Sequence, residues 1–157
     1  MNGDSWIAAA VNAFDLKAAL LARHAQHPVI VHFPIALFIA SVAFEVLALW
    51  RKQPVFASVA YFNLLGAALS LPFTIATGLG AWQWQLEGAT LKGNLLLHLV
   101  CALTSAALIL GLCWKRRRLR QENERPAVSY FIVTTLALVM ITITGHVGGI
   151  LSGVEAP

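Results

Sequence analysis

The sequence predicts an all-α fold, an integral membrane four-helix bundle preceded by an N-terminal amphipathic helix lying on the membrane surface. Three observations carry that expectation. The 157-residue chain is 59% hydrophobic and only 11% charged, with a mean hydropathy of +0.74, against roughly 45–50% apolar and about 25% charged residues in soluble domains. So few charges cannot cover the exterior of a globule. Apolar windows long enough to cross about 30 Å of hydrocarbon, roughly 20 helical residues, occur four times. Tryptophans and basic residues are gathered at the ends of those windows, as membrane interfaces require.

Residues 1–26 come first. WIAAAVNAFDLKAALLARH is apolar at helical spacing, but Asp15, Lys17 and Arg23 interrupt it, so it reads as a helix in the interface plane. A fifth span there is the competing reading and would move the N-terminus inside. MNGDS lacks a basic n-region and no small-residue cleavage site follows a clean apolar core, so no removed signal peptide is expected. The four spans, within residues 27–151, are placed at about 28–50, 57–80, 93–114 and 128–151. WQWQLEGATLKGN and KRRRLRQENERPA, polar and containing Gly or Pro, read as the loops between spans two and three and between three and four. No second domain, internal repeat or low-complexity linker is read. Cys101 and Cys113 lie on one span, too far apart to meet.

Orientation follows from charge. Of the eleven Lys and Arg, Arg51, Lys52, Lys115, Arg116, Arg117, Arg118, Arg120 and Arg125 fall in the two loops on one side; Lys17, Arg23 and Lys92 fall on the other. The basic loops are expected in the cytoplasm and both termini in the periplasm of a bacterial inner membrane. Trp50 and Trp114 then mark the inner interface, and Trp6, Trp82 and Trp84 the outer one. The pI near 9.5 is accounted for by this topology without a nucleic-acid partner.

Candidate function rests on imidazoles. His27 stands at the outer mouth of span one and His32 about one turn inside it. At about 1.5 Å of rise per residue, His32, His98 and His146 all come to lie roughly 6–10 Å below the outer boundary. Polar rings within a membrane usually face the bundle interior and mark function. Around His98 stand Ala102 and Ser105, with Cys101 close by; His146 lies in TGHVGGI, with Gly145 and Gly149. Small residues beside imidazoles leave room for a flat ligand, so a b-type haem held by two histidines is the leading expectation, with His98 and His32 as the first choice of pair. A copper, zinc or iron site built from His27, His32, His98 and His146 is the alternative. A cofactor-free structural subunit of a larger membrane complex is the third. Gly145 and Gly149 also fit a plain small-residue helix contact, and Thr142 and Thr144 fit hydroxyl bonds to their own helix carbonyls. Pro28 suits a first helical position; Pro34 is expected to kink span one near His32. Glu45, about 20 Å deeper than His32, is expected to reach Arg51 or the arginines opening the 115–125 segment, in preference to serving a quinone site. No nucleophile–base pair, phosphate loop or carboxylate dyad stands out, so no independent enzymatic activity is read.

HPVIVHFPIAL at residues 27–37, a histidine near the start of span three and GHVGGIL at 145–151 resemble a bacterial family of small four-span membrane proteins known as domain-of-unknown-function family 2231. The likeness covers residues 27–151. His27, His32, Phe33, Pro34, Glu45, Gly145, His146, Gly148 and Gly149 match its pattern position by position; its longer, tyrosine-bearing tail is replaced here by LSGVEAP. The resemblance implies a redox setting beside a periplasmic cytochrome c or quinoprotein dehydrogenase, with electron transfer at the outer membrane face; joined to the haem expectation, it makes relay of electrons to the quinone pool within an oxidoreductase complex the expected role. In a Cys101→Ser/Cys113→Ser background in intact cells, an impermeant thiol reagent should label Gly88→Cys and spare Ser129→Cys; the reverse pattern would invert the topology.

Overall fold

The structure is a computed structural model that describes residues 26–84 and 86–153. The surface helix expected over residues 1–26 lies, apart from Gln26, outside them. Among the described residues the chain forms four helices, α1 (Gln26–Arg51), α2 (Pro54–Trp84), α3 (Gly93–Gln121) and α4 (Val128–Leu151), each long and apolar enough to cross a membrane. This is the all-α four-helix bundle expected.

Local chemistry sets the ends. Lys52, at φ 54°, turns the chain after α1 while its N–H donates to the Ala48 carbonyl at 2.9 Å. Pro54 then opens α2, where its missing donor costs nothing. α1 runs unbroken through the buried Pro34. α3 ends in a Schellman-type closure, with the Glu124 N–H on the Leu119 carbonyl at 2.8 Å around Asn123 at φ 55°.

Two boundaries differ from the sequence reading. α2 runs on to Trp84, through residues read as the start of a loop, and the longer extension is in α3. The segment KRRRLRQ, taken as the start of a loop, continues α3 to Gln121. Lys, Arg, Leu and Gln are good helix formers, and extending a helix costs far less than nucleating one. The extra turns also carry Arg116 and Leu119 inside, where both are buried.

The interior mixes small side chains with a few large ones. Ala60, Ala67, Ala68, Ala106 and Ala137 are buried with Phe38, Leu64 and Ile109, while Phe33, Phe62, Leu69, Phe73 and Ile132 point outward. In lipid, burying apolar surface drives nothing, so helices gain from close van der Waals approach and large apolar groups are free to face the acyl chains. Gly66 shows the closeness: a Cβ there would sit 3.3 Å from Leu37 Cδ1. Hydroxyls are satisfied within their own helices, as in Thr134 to the Tyr130 carbonyl at 2.8 Å, Thr142 to Leu138 at 2.9 Å and Thr144 to Met140 at 2.7 Å. No buried polar side-chain atom among the described residues lacks a partner.

The helices associate as two hairpins. α1 packs along α2 and α3 along α4; α2 meets α3, and α1 barely touches α4. The two hairpins bury equivalent positions. Pro34, Phe38, Ser41 and Glu45 of α1 correspond to the buried Ser105, Ile109, Leu112 and Arg116 of α3, a constant shift of 71 residues. In α2 and α4 the buried Ala60, Leu64, Ala67 and Leu71 correspond to Tyr130, Thr134, Ala137 and Ile141, a constant step from 60 to 130 onward. The sequence reading found no repeat because the side chains at these positions differ; the repeat lies in which positions face inward.

A buried ion pair ties the hairpins together. Arg116 Nε donates to Glu45 Oε2 at 3.1 Å and Nη2 to Oε1 at 3.0 Å, a bidentate bridge whose side chains are only 5% and 7% exposed. Glu45 thus meets one of the arginines that the sequence pointed to, while Arg51 lies over the Trp50 ring at 4.9 Å. Ser41, Tyr130 and Thr134 flank the carboxylate around a cavity of about 20 Å³, room for one water. Removing one partner strands a buried charge, so Arg116→Ala should cost about 3–5 kcal/mol of bundle stability in an SDS unfolding titration followed by circular dichroism. The double change Glu45→Leu/Arg116→Met should cost less than either single removal; strict additivity would show that the two groups are not coupled.

Candidate functional site

At the end of the bundle opposite the ion pair, each hairpin carries two imidazoles, one of them half-buried. Glu45 and His27 are eighteen residues apart on α1, and so are Arg116 and His98 on α3. Eighteen residues make five turns, about 27 Å, so each histidine stands on the same helix face as its charged residue. The register that joins Glu45 to Arg116 therefore brings His27 toward His98, and the two are close enough for their charges to interact. Both are half-buried.

Each ring is seated the same way on the partner helix of its own hairpin. His27 Nδ1 lies 3.2 Å from Thr77 Oγ1 and reaches the Thr74 backbone, with Gly78 beneath the ring: a Cβ at Gly78 would come within 3.1 Å of His27 Cε1. His98 Nδ1 lies 3.1 Å from the Thr144 carbonyl, and a Cβ at Gly148 would come within 3.1 Å of His98 Cε1. In each hairpin the glycine stands one turn beyond the threonine whose backbone the ring approaches.

These contacts fix the tautomers. A carbonyl only accepts, so His98 carries its proton on Nδ1. Thr77 spends its own proton on the Phe73 or Thr74 carbonyl, each 3.0 Å away, and so accepts from His27 Nδ1. Both imidazoles are thereby held as Nδ1–H donors, which leaves the Nε2 lone pair of each for a ligand. This is the second-coordination arrangement of metal-binding histidines, in which an oxygen on one ring nitrogen orients the other.

The remaining sequence candidates lie elsewhere. His32 and His146 are exposed, and His32 Nδ1 donates to the Pro28 carbonyl of its own helix. Ala102 is half-buried; Ser105 is buried and donates to the Cys101 carbonyl at 2.8 Å. Gly145 is exposed with open space around it, and Gly149 is half-buried. Among the described residues, no three His, Cys, Asp or Glu side chains gather where they would hold a metal ion. Thr77, Gly78 and Gly148 were not singled out as site residues from the sequence; counting five turns back from Glu45 would have selected His27 ahead of His32.

The fold defines a four-span helical membrane protein, with half-buried His27 and His98 at one end of its bundle. The chain belongs to the family described as "Predicted membrane protein (DUF2231)", whose family model matches residues 23–155, in agreement with the resemblance read from its motifs. No curated protein and no solved structure matches it.

In histidine-labelled protein, ¹⁵N NMR should find Nδ1 protonated and Nε2 bare in the neutral rings of both His27 and His98. Gly148→Val should displace the His98 ring and scramble its tautomers while leaving His27 unchanged; Nε2–H as the main form of either wild-type ring would contradict the seating.

Proposed function

We propose that this protein is the haem-carrying, membrane-embedded electron-transfer subunit of an oxidoreductase in the bacterial inner membrane. It exchanges electrons between a periplasmic cytochrome c or quinoprotein dehydrogenase and the quinone pool. The reading is carried by the His27–His98 pair, one imidazole from each hairpin, both with Nε2 left available. Donor count supports one cofactor class over another. A six-coordinate b-type haem takes only two protein ligands because the macrocycle fills the other four positions, whereas structural zinc takes four protein ligands and catalytic zinc three. The described residues provide a pair and no group of three, which favours haem over a bare copper, zinc or iron site.

When bound, the haem would supply one-electron chemistry. The chain's residues supply the rest: His27 and His98 bind through Nε2, Thr77 and the Thr144 carbonyl orient the rings, and Gly78 and Gly148 let the rings approach their neighbouring helices. The loose contact between α1 and α4 leaves the hairpins a seam along which they can separate to admit a planar ligand. His27 replaces His32 as the preferred partner of His98, because His32 is exposed and turned about 140° away from His27 around α1.

Protein extracted from haem-replete cells should show a Soret band and a pyridine-haemochrome near one haem per chain. His27→Ala and His98→Ala should each abolish it while the protein still inserts with unchanged helicity, and His32→Ala and His146→Ala should retain it. A wild-type protein free of porphyrin, or retention of haem in both of the first two variants, would overturn the proposal.

A further inference from the structure

The basic end of the bundle holds a cleft that the histidine site does not use. Its volume is about 600 Å³, and it lies between the α1–α2 and α3–α4 loops, within the roughly 300–1,000 Å³ typical of ligand sites. Lys52, Arg116, Arg120 and Arg125 line it, against two carboxylates, Glu45 and Glu124. Glu45 is already neutralised by its bidentate bond to Arg116 at the cleft floor. Lys52, Arg120 and Arg125 therefore face Glu124 with cationic charge to spare.

One of the cations is held in place, and a second sits at the turn between the first two helices. Arg120 Nη1 donates to Ser58 Oγ at 3.3 Å, and its guanidinium lies over the Tyr61 ring at 4.6 Å, so it spans from α3 to α2 rather than extending into solvent. Lys52 occupies the left-handed position between α1 and α2. The first turn of α2, through Pro54, Ala57 and Ser58, also lines the cleft and brings the positive end of that helix to it. Each of these features favours an anion. The remaining wall is apolar, formed by Ala48, Leu49 and Leu119, and the exposed Trp50 and Trp114 set this end of the bundle at the membrane interface.

We propose that this cleft binds the phosphate headgroup of an anionic phospholipid from the leaflet at the basic end of the bundle. Lys52, Arg120 and Arg125 contact the phosphate, and the glycerol and upper acyl chain run along Leu49 and Leu119. The lipid links the two loops, which no covalent or ion-pair contact at the cleft rim otherwise joins among the described residues.

The test is native mass spectrometry of the full chain in neutral detergent, with phosphatidylglycerol and phosphatidylcholine of identical acyl chains in competition. The expected result is one retained phosphatidylglycerol per chain, preferred at least about tenfold. Each Lys or Arg near a membrane surface contributes about fivefold to anionic-lipid binding, so Lys52→Gln/Arg120→Gln/Arg125→Gln should weaken retention on the order of a hundredfold. Lys115→Gln/Arg117→Gln/Arg118→Gln, with the same charge change outside the cleft, should leave it unaltered. The loop double variant Lys52→Gln/Arg125→Gln, which keeps the Arg120 contacts, should lose on the order of twentyfold and serves if the triple variant fails to insert. No preference for phosphatidylglycerol, or equal losses in the two triple sets, would overturn the site. Full displacement of the lipid by millimolar inorganic phosphate would assign the cleft to a soluble anion and overturn the lipid.

Discussion

The bidentate bond between Glu45 and Arg116 is the interaction on which the bundle depends. α1 and α3 are not neighbours along the chain and are not packed as a pair, and helix association in lipid gains nothing from burying apolar surface. Two buried charges are costly unless matched in geometry. Here both carboxylate oxygens are engaged by the one guanidinium. A slip of one residue in either helix would separate the charges by about 1.5 Å along the axis and rotate them by about 100°. The pair therefore sets the register of one hairpin against the other.

That register is transmitted to the far end because each helix acts as a rigid rod. Five turns separate the charged residue from the histidine on both α1 and α3, so fixing one pair aligns the other about 27 Å away. Nothing at the histidine end needs to align the imidazoles beyond their seats on Thr77 and Gly78 in one hairpin and Thr144 and Gly148 in the other. Structural charges and candidate chemistry are thus kept apart in the bundle and coupled through helix geometry.

Much of this was legible in the sequence. Composition and window length gave the number of spans, and a lone Glu45 in an apolar run demanded a cation. Histidine depth pointed to the end of the bundle where His27 and His98 stand half-buried. Azimuth was not legible. In a soluble helix the apolar stripe marks the inside, but here Phe33, Phe73 and Ile132 face outward while Ser41, Ser105 and Thr134 are buried, so apolarity does not identify the inner face. Depth alone ranked His32 with His98, whereas rotation about α1 selects His27. The Gly78 seat escaped notice because it lies in a span with no histidine, and its role appears only when α1 is laid against α2. The basic segment was read as a loop because its charge was weighed and its helix propensity was not.

The repeated inward positions carry a consequence for self-association. In a two-fold arrangement of identical halves, a residue near the axis faces its own copy. Two copies of the first hairpin would set Glu45 against Glu45, and two copies of the second would set Arg116 against Arg116, each a buried like-charge clash. A histidine facing a histidine tolerates such symmetry; a charge does not. The two halves are therefore complementary and each rejects itself, so the correct partner for either hairpin is the other one, already tethered to it by the segment between Trp84 and Gly93. During synthesis Glu45 emerges 71 residues ahead of Arg116, roughly 4–14 seconds at ordinary elongation rates. For that interval the first hairpin carries an unmatched carboxyl group that only its own second half can settle.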